Sequence, residues 1–350
     1  MTLRRLLGLA LALSVATSAA AKPLTVGFYL PWDKASQASL VAHAASLDVL
    51  APMSGALVSA DGALRWQEDP ARVPALARTK ARPKVFPVIS NAHDNVWDTA
   101  AADGVLLDPA AGEAFIAALV NQAKAQGYGG YILDFETLSP RAAPAYAPLL
   151  TRLRTALQPL GRELWVTALL GADPTAVRQL AAASDTVVLM AYDQCWATGT
   201  PGPIAGQDWL ESSLDAKFGA GQADPAHVIV ALGAYGYDWP AGQPAAVVSA
   251  PEALRIAKAA DQVPTRAAPD ANPHFSYAGP DGANHAVWYL DAATFQAQRA
   301  AVQARRARGA AIWRLGLEDP AIWAKSSPHP SMSPAPAAPR QACVALPPRP

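Results

Sequence analysis

Short apolar runs alternate along this chain with longer stretches in which apolar residues recur every three or four positions. The runs predict eight strands: Thr25–Leu30, Asp48–Ala51, Lys84–Ser90, Tyr131–Glu136, Leu164–Leu169, Thr186–Tyr192, Val228–Ala234 and Ala310–Leu315. The intervening pattern predicts amphipathic helices, among them Gly112–Gln126, Ala142–Leu157, Pro174–Ala183 and Ala292–Arg306. Strand and helix alternating in this way predict an α/β fold, a (β/α)8 TIM barrel. A doubly wound open sheet is the alternative. It would carry a Gly-rich phosphate loop after the first strand, where Leu30-Pro31-Trp32-Asp33 stands instead. The interval between strands seven and eight is too long for one helix. A helical piece at Pro251–Ala259 and two short runs, Phe275–Tyr277 and Ala286–Leu290, fill it, joined by Gly279-Pro280-Asp281-Gly282. The Asp-Gly step is a turn signal, so a small α+β insertion over about 240–290 is expected on the rim of the barrel.

The two ends of the 350-residue chain differ from this pattern. Arg4 and Arg5 precede an uncharged apolar run, Leu6 to Val15, and the small residues Ala19-Ala20-Ala21 follow. That is the layout of a secretory signal over residues 1–21, with Lys22 as the mature start and an uncleaved anchor as the alternative. The run is shorter than the roughly 20 residues a membrane span needs. Residues 326–350 are dominated by Pro, Ala and Ser and read as a disordered tail. Export places the protein in a secreted or periplasmic setting, with no membrane span once the signal is removed. Residues 22–325 are then expected to form one barrel domain.

Lys plus Arg equal Asp plus Glu at 28 each, and no basic stripe is present, which argues against nucleic acid as a partner. The two cysteines, Cys195 and Cys343, do not make a disulfide framework. A bridge between them is not expected, because nothing else in the tail would hold it. Cys195 has no evident His base for thiol catalysis. His43, His93, His227, His274, His285 and His329 lack metal-ligand spacing, so no metal and no cofactor are expected. A monomer is expected.

The candidate chemistry lies in Gly129-Gly130-Tyr131-Ile132-Leu133-Asp134-Phe135-Glu136. Period-two alternation puts Ile132, Asp134 and Glu136 on one face and Leu133 and Phe135 on the other. Two acids at the end of an apolar strand are costly to bury, which marks them as functional or as a strand end meeting solvent. In such barrels the site lies at the C-terminal strand ends. There strand one brings Tyr29 and Trp32, strand six Tyr192, Asp193 and Trp196, strand seven Tyr235 and Trp239, and strand eight Trp313. Aromatic faces beside carboxylates suit a sugar, whose C–H faces stack and whose hydroxyls need acceptors.

With these residues in place the chain resembles glycoside hydrolase family 18, the chitinase-like hydrolases. The family signature Asp-Gly-x-Asp-x-Asp-x-Glu is matched here in its last two acids, Asp134 and Glu136, with Gly129 and Ile132 where the first two would stand. The family's Met-x-Tyr-Asp matches Met190-Ala191-Tyr192-Asp193, and its strand-eight Trp matches Trp313. The chain looks most like family 18 domains associated with bacterial polysaccharide deacetylases and glycosyltransferases. That likeness rests on Tyr192–Trp196, Gly202-Pro203-Ile204-Ala205, Gln207-Asp208-Trp209 and Gly233–Trp239, and the whole resemblance spans about residues 24 to 324.

The resemblance implies a retaining, substrate-assisted glycosidase acting on N-acetylglucosamine-containing polysaccharide. It implies Glu136 as general acid, Asp134 and Tyr192 as partners of the substrate acetamide, Asp193 on a sugar hydroxyl and Trp313 as an apolar floor. The apolar Ile132 in place of an acid should disfavour charge on Asp134 by desolvation. The alternative is a lectin-like, non-catalytic carbohydrate-binding barrel, against which the presence of Glu136 argues. A metal-dependent deacetylase is a further alternative, suggested only by the domains with which its relatives are associated.

Overall fold

The computed structural model describes residues 22–67, 73–94, 96–266, 272–280, 282–324 and 343–345. The expected signal, residues 1–21, lies outside the described residues, as does most of the tail. Eight parallel strands close into a barrel: β1 (Leu24–Tyr29), β2 (Val49–Leu57), β3 (Val88–Ser90), β4 (Gly130–Asp134), β5 (Glu163–Leu169), β6 (Thr186–Ala191), β7 (Val228–Gly233) and β12 (Gly309–Trp313). Closure is explicit in the register, because β1 pairs with β2 on one side and with β12 on the other.

Side-chain alternation divides the core into two layers. Val26, Phe28, Val49, Ala51, Val88, Ile132, Trp165, Val188, Ile229, Ala231 and Ala311 fill the barrel interior. The residues between them, such as Leu50, Ile89, Leu133, Val166, Leu189 and Val230, face the surrounding helices. The opening glycines of the fourth strand are required by close packing. A Cβ on Gly130 would run into the backbone carbonyl of Glu163, and one on Gly129 into the ring of Phe86.

The third strand departs from the expected Lys84–Ser90. Pro87 has no N–H to donate, and pairing with β2 breaks into Lys84–Val85 and Val88–Ser90. The second strand runs on to Leu57 and turns back on itself through Leu64–Trp66.

The insertion follows β7 directly. Four antiparallel strands, β8 (Gly236–Pro240), β9 (Ala246–Val248), β10 (His274–Ala278) and β11 (Asn284–Tyr289), pair in the order β9-β8-β11-β10. The helix Ala250–Ala259 packs its Ala250, Ala253 and Ala257 face on Val248, Phe275, Val287 and Tyr289.

One expectation is overturned. Cys195 and Cys343 form a disulfide that closes 148 residues of sequence. The tail does have other ties at this point. The Thr200 N–H donates to the Val344 carbonyl at 2.8 Å, and the Val344 N–H donates to Thr200 Oγ1 at 3.2 Å. The bridge pins the loop that follows β6. A Cys343→Ser variant should lose about 2–4 kcal/mol of stability, read as a lower urea midpoint under oxidising conditions. An unchanged midpoint would mean that the bridge does not form.

Candidate active site

The site stands at the C-terminal mouth of the barrel, and β4 supplies its two acids. Asp134 is the last residue of the strand and is buried; Glu136 lies two residues on, half-buried at the mouth. Ile132, one step below on the same face, is sealed in the barrel interior. Burial pushes the Asp134 carboxyl up to about 6, partly offset by a hydrogen bond from Thr167. Burial also pushes Glu136 up to about 7, helped by the negative charges of Asp134 and Asp193. A carboxyl near neutrality can hold a proton at working pH and release it.

The backbone of Glu136 is clamped by a residue the sequence pattern did not single out. The side chain of Asn91, fully buried, accepts from the Glu136 N–H at 2.9 Å and donates to the Glu136 carbonyl at 2.9 Å. Asn91 directly follows β3, so the rule that polar residues at strand ends serve the site would have found it.

Strand β6 carries the next group. Val188, Met190 and Tyr192 share its inner face, and Tyr192 stacks on Trp313 from the end of β12, with centroids 5.7 Å apart and planes 13° apart. Phe28 braces Trp313 edge-on at 5.3 Å. A Cβ on Gly233 would press on Leu290 Cδ1 at 2.8 Å and on the Tyr192 Cβ at 3.1 Å, so the glycine at the end of β7 leaves both side chains their space. Asp193 adopts a left-handed φ of 55° that turns the chain away from the barrel, a conformation Asp tolerates better than most residues. Tyr235 and Tyr237 both donate to Asp193 Oδ1, the latter at 2.9 Å. Asp193 keeps solvent access on its groove side. The protein packed behind it still raises its carboxyl, against the pull of the two hydroxyls.

Trp32 projects into the mouth, 56% exposed, beside a cavity of about 200 Å³ lined by Met53, Ser54, Gln67, Ser90 and His93. His93 is held between Asp94 and Asp98 at 3.1 and 3.0 Å, which raises its pKa. It belongs to a rim network with Arg65. Among the described residues no cluster of His, Cys, Asp and Glu could hold a metal ion.

Two expected site residues sit elsewhere. Tyr29 is 1% exposed and faces the helix layer, because alternation along β1 turns Phe28, not Tyr29, inward. Trp239 is likewise 1% exposed, packed between the insertion and the loop after β6, with Cys195, Ile204 and Tyr237, the last at 5.2 Å. Trp196 rests against Gly199 in the disulfide-pinned loop. Tyr235 is also buried and meets the site through its hydroxyl on Asp193 and its ring, edge-on to Tyr192 at 6.2 Å. The motif Gly202-Pro203-Ile204-Ala205 is structural. Its carbonyls receive Gln194 and Cys195 N–H groups, and buried Asn272 binds the Ala205 backbone on both sides.

Two acids with raised pKa values beside a stacked Tyr–Trp pair at the mouth of a (β/α)8 barrel are the arrangement of a carbohydrate-active hydrolase. The family model of Glycosyl hydrolases family 18 matches residues 25–318, and the chain belongs to that family and is a glycosidase. It is 27% identical over 257 residues to the glycosylase YvbX of Bacillus subtilis, covering 70% of this chain and 74% of the relative. It is 26% identical over 281 residues to the cortical fragment-lytic enzyme of Bacillus anthracis, covering 75% of this chain but 64% of that longer protein. Among solved structures, a chitinase from Chromobacterium violaceum superposes with a TM-score of 0.77 at 26% identity, over 86% of this chain and 97% of its own.

Proposed function

We propose that the protein is an exported hydrolase of β-linked N-acetylglucosamine-containing polysaccharide that works with retention, using the substrate's own acetamido group. The observation that carries this reading is buried Asp134 with half-buried Glu136, both raised toward neutrality, at the mouth that holds the stacked Tyr192–Trp313 pair. Glu136, protonated, gives its proton to the glycosidic oxygen as the C1–O bond breaks. The acetamide oxygen attacks C1 from the opposite face and closes an oxazolinium ring. Asp134, as carboxylate, accepts the acetamide N–H and balances the positive charge. The Tyr192 hydroxyl, whose proton is held far above neutrality by burial and nearby acids, donates to the acetamide oxygen. Glu136, now a carboxylate, takes a proton from water, which attacks C1 and reopens the ring with the original configuration.

Trp313 is the floor under the reacting sugar, Asp193 accepts a sugar hydroxyl, and Trp32 stacks a sugar further along the groove. Chitin, peptidoglycan glycan strands and exported poly-N-acetylglucosamine all carry the acetamide. The relatives named as a cortical fragment-lytic enzyme and a chitinase support that substrate class without choosing within it. We place the mature barrel at residues 22–325, secreted or periplasmic. Among the described residues no helix is long and apolar enough to cross a membrane.

The test is a product profile on those three polymers and on short N-acetylglucosamine oligomers. Release of reducing ends is the expected result. Tight binding without release would instead make this a lectin-like barrel.

A further inference from the structure

Asp134 sits buried where the apolar barrel interior meets the mouth, and its surroundings supply little to hold a negative charge. Ile132 lies below it, fully buried. Ser90, its neighbour on β3, accepts the Ala92 N–H at 2.8 Å, and its own hydroxyl makes no hydrogen bond to Asp134. The titratable groups that act on it or beside it are Glu136 beyond its own strand, Tyr192 after β6 and Tyr146 on the helix Ala143–Leu157, with Asp193 reaching Glu136. These are two acids and two neutral phenols. Thr167 stands apart from them. It lies in the middle of β5, directly across from Asp134, in a strand otherwise apolar between Leu164 and Leu169. It is 7% exposed, and its Oγ1 lies 2.7 Å from Asp134 Oδ1. The alternative acceptor for its single hydrogen, the Leu133 carbonyl, is 3.4 Å away. The shorter bond, to a charged oxygen, is the stronger one.

We propose that Thr167 is the positioning residue of the site: its hydroxyl keeps Asp134 ionised and aimed at the substrate acetamide, where no cationic partner stands among the described residues. A buried polar side chain in an apolar strand costs stability unless its hydrogen bond is made. Here that bond goes to the one carboxylate that must stay charged as the acetamide cation forms. This rests on the proposed role of Asp134. Without the hydroxyl, the carboxylate retains the full penalty of burial beside Glu136, and protonation becomes easier.

The experiment has two readouts. The first is the pH profile of kcat/KM on an N-acetylglucosamine oligomer for wild type, Thr167→Val, Thr167→Ala and Thr167→Ser. In the Val and Ala variants the acidic limb moves up by about one to two pH units, as expected for losing a hydrogen bond to a charge. The alkaline limb, coupled to it through Glu136, moves less, and Ser restores the wild-type profile. The second is the Asp134 carboxyl titration followed by carbon NMR, which needs no turnover. Its midpoint rises in Val and Ala and returns in Ser. An unmoved midpoint and limb in Val or Ala, or a Ser variant as impaired as Val, would overturn the proposal. Wild type inactive on the oligomer, with the NMR midpoint still responding to Thr167, would fault the reading of the site as a glycosidase on this substrate and leave the pairing intact.

Discussion

Glu136→Gln lowers kcat on an N-acetylglucosamine oligomer by about 10²–10⁴-fold and leaves KM nearly unchanged, the range general acid catalysis contributes. The amide keeps the size and polarity of the side chain, so the Asn91 clamp on the residue's backbone persists. What is lost is the transferable proton. The same substitution should stabilise the fold, and the sign follows from the raised pKa. Glu136 is shifted from 4.5 to about 7, so the folded state prefers it protonated. Its contribution is complete below pH about 4.5 and is lost as pH rises through about 7. Wild type and Glu136→Gln should therefore match near pH 4, and the variant should be more stable at pH 8. A gain of about 1–2 kcal/mol is expected once the partial exposure of Glu136 is discounted. Urea midpoints at the two pH values read it directly. A variant less stable at pH 8 would show that burial does not strain this carboxyl.

Asp134→Asn lowers kcat by about 10²–10³-fold, comparable to removing one electrostatic stabiliser of a developing charge. It also changes the shape of the pH profile. In wild type, rates fall below about pH 6 as Asp134 takes up a proton and above about pH 7 as Glu136 loses one. The two acids are coupled, so these limbs belong to the pair. The Asn variant loses the acidic limb. Its alkaline limb moves to lower pH, because the Asp134 charge no longer raises Glu136. A variant that keeps both limbs would place the acidic one on another group.

The barrel was legible in the chain because eight apolar runs and the helical patterns between them have different periods. The fourth strand was legible down to its faces. Alternation put Ile132, Asp134 and Glu136 together, and the structure keeps Ile132 inside the barrel while Leu133 and Phe135 meet the helices. The insertion hairpin was visible through its Gly279–Gly282 turn, with β10 and β11 in antiparallel register.

What escaped were facts of register and of pairing across the fold. Tyr29 and Trp239 ended runs that point at the mouth, yet each turns into a core, and a one-residue phase decides that. Thr167 looked like one polar residue in an apolar strand until pairing with β4 set it against Asp134. Asn91 needed the turn after β3 to reach Glu136. The disulfide needed Thr200 and Val344 to bring two segments 148 residues apart into contact.

The central claim is that the substrate's acetamido group does the nucleophilic work. It is tested by comparing hydrolysis of β-1,4-linked N-acetylglucosamine oligomers with the matching glucose oligomers, with the anomer of the first product read by proton NMR. Cleavage of the acetamido oligomer alone, with the β-anomer formed first, is the predicted result. Equal cleavage of both, or α-anomer formed first, would contradict it.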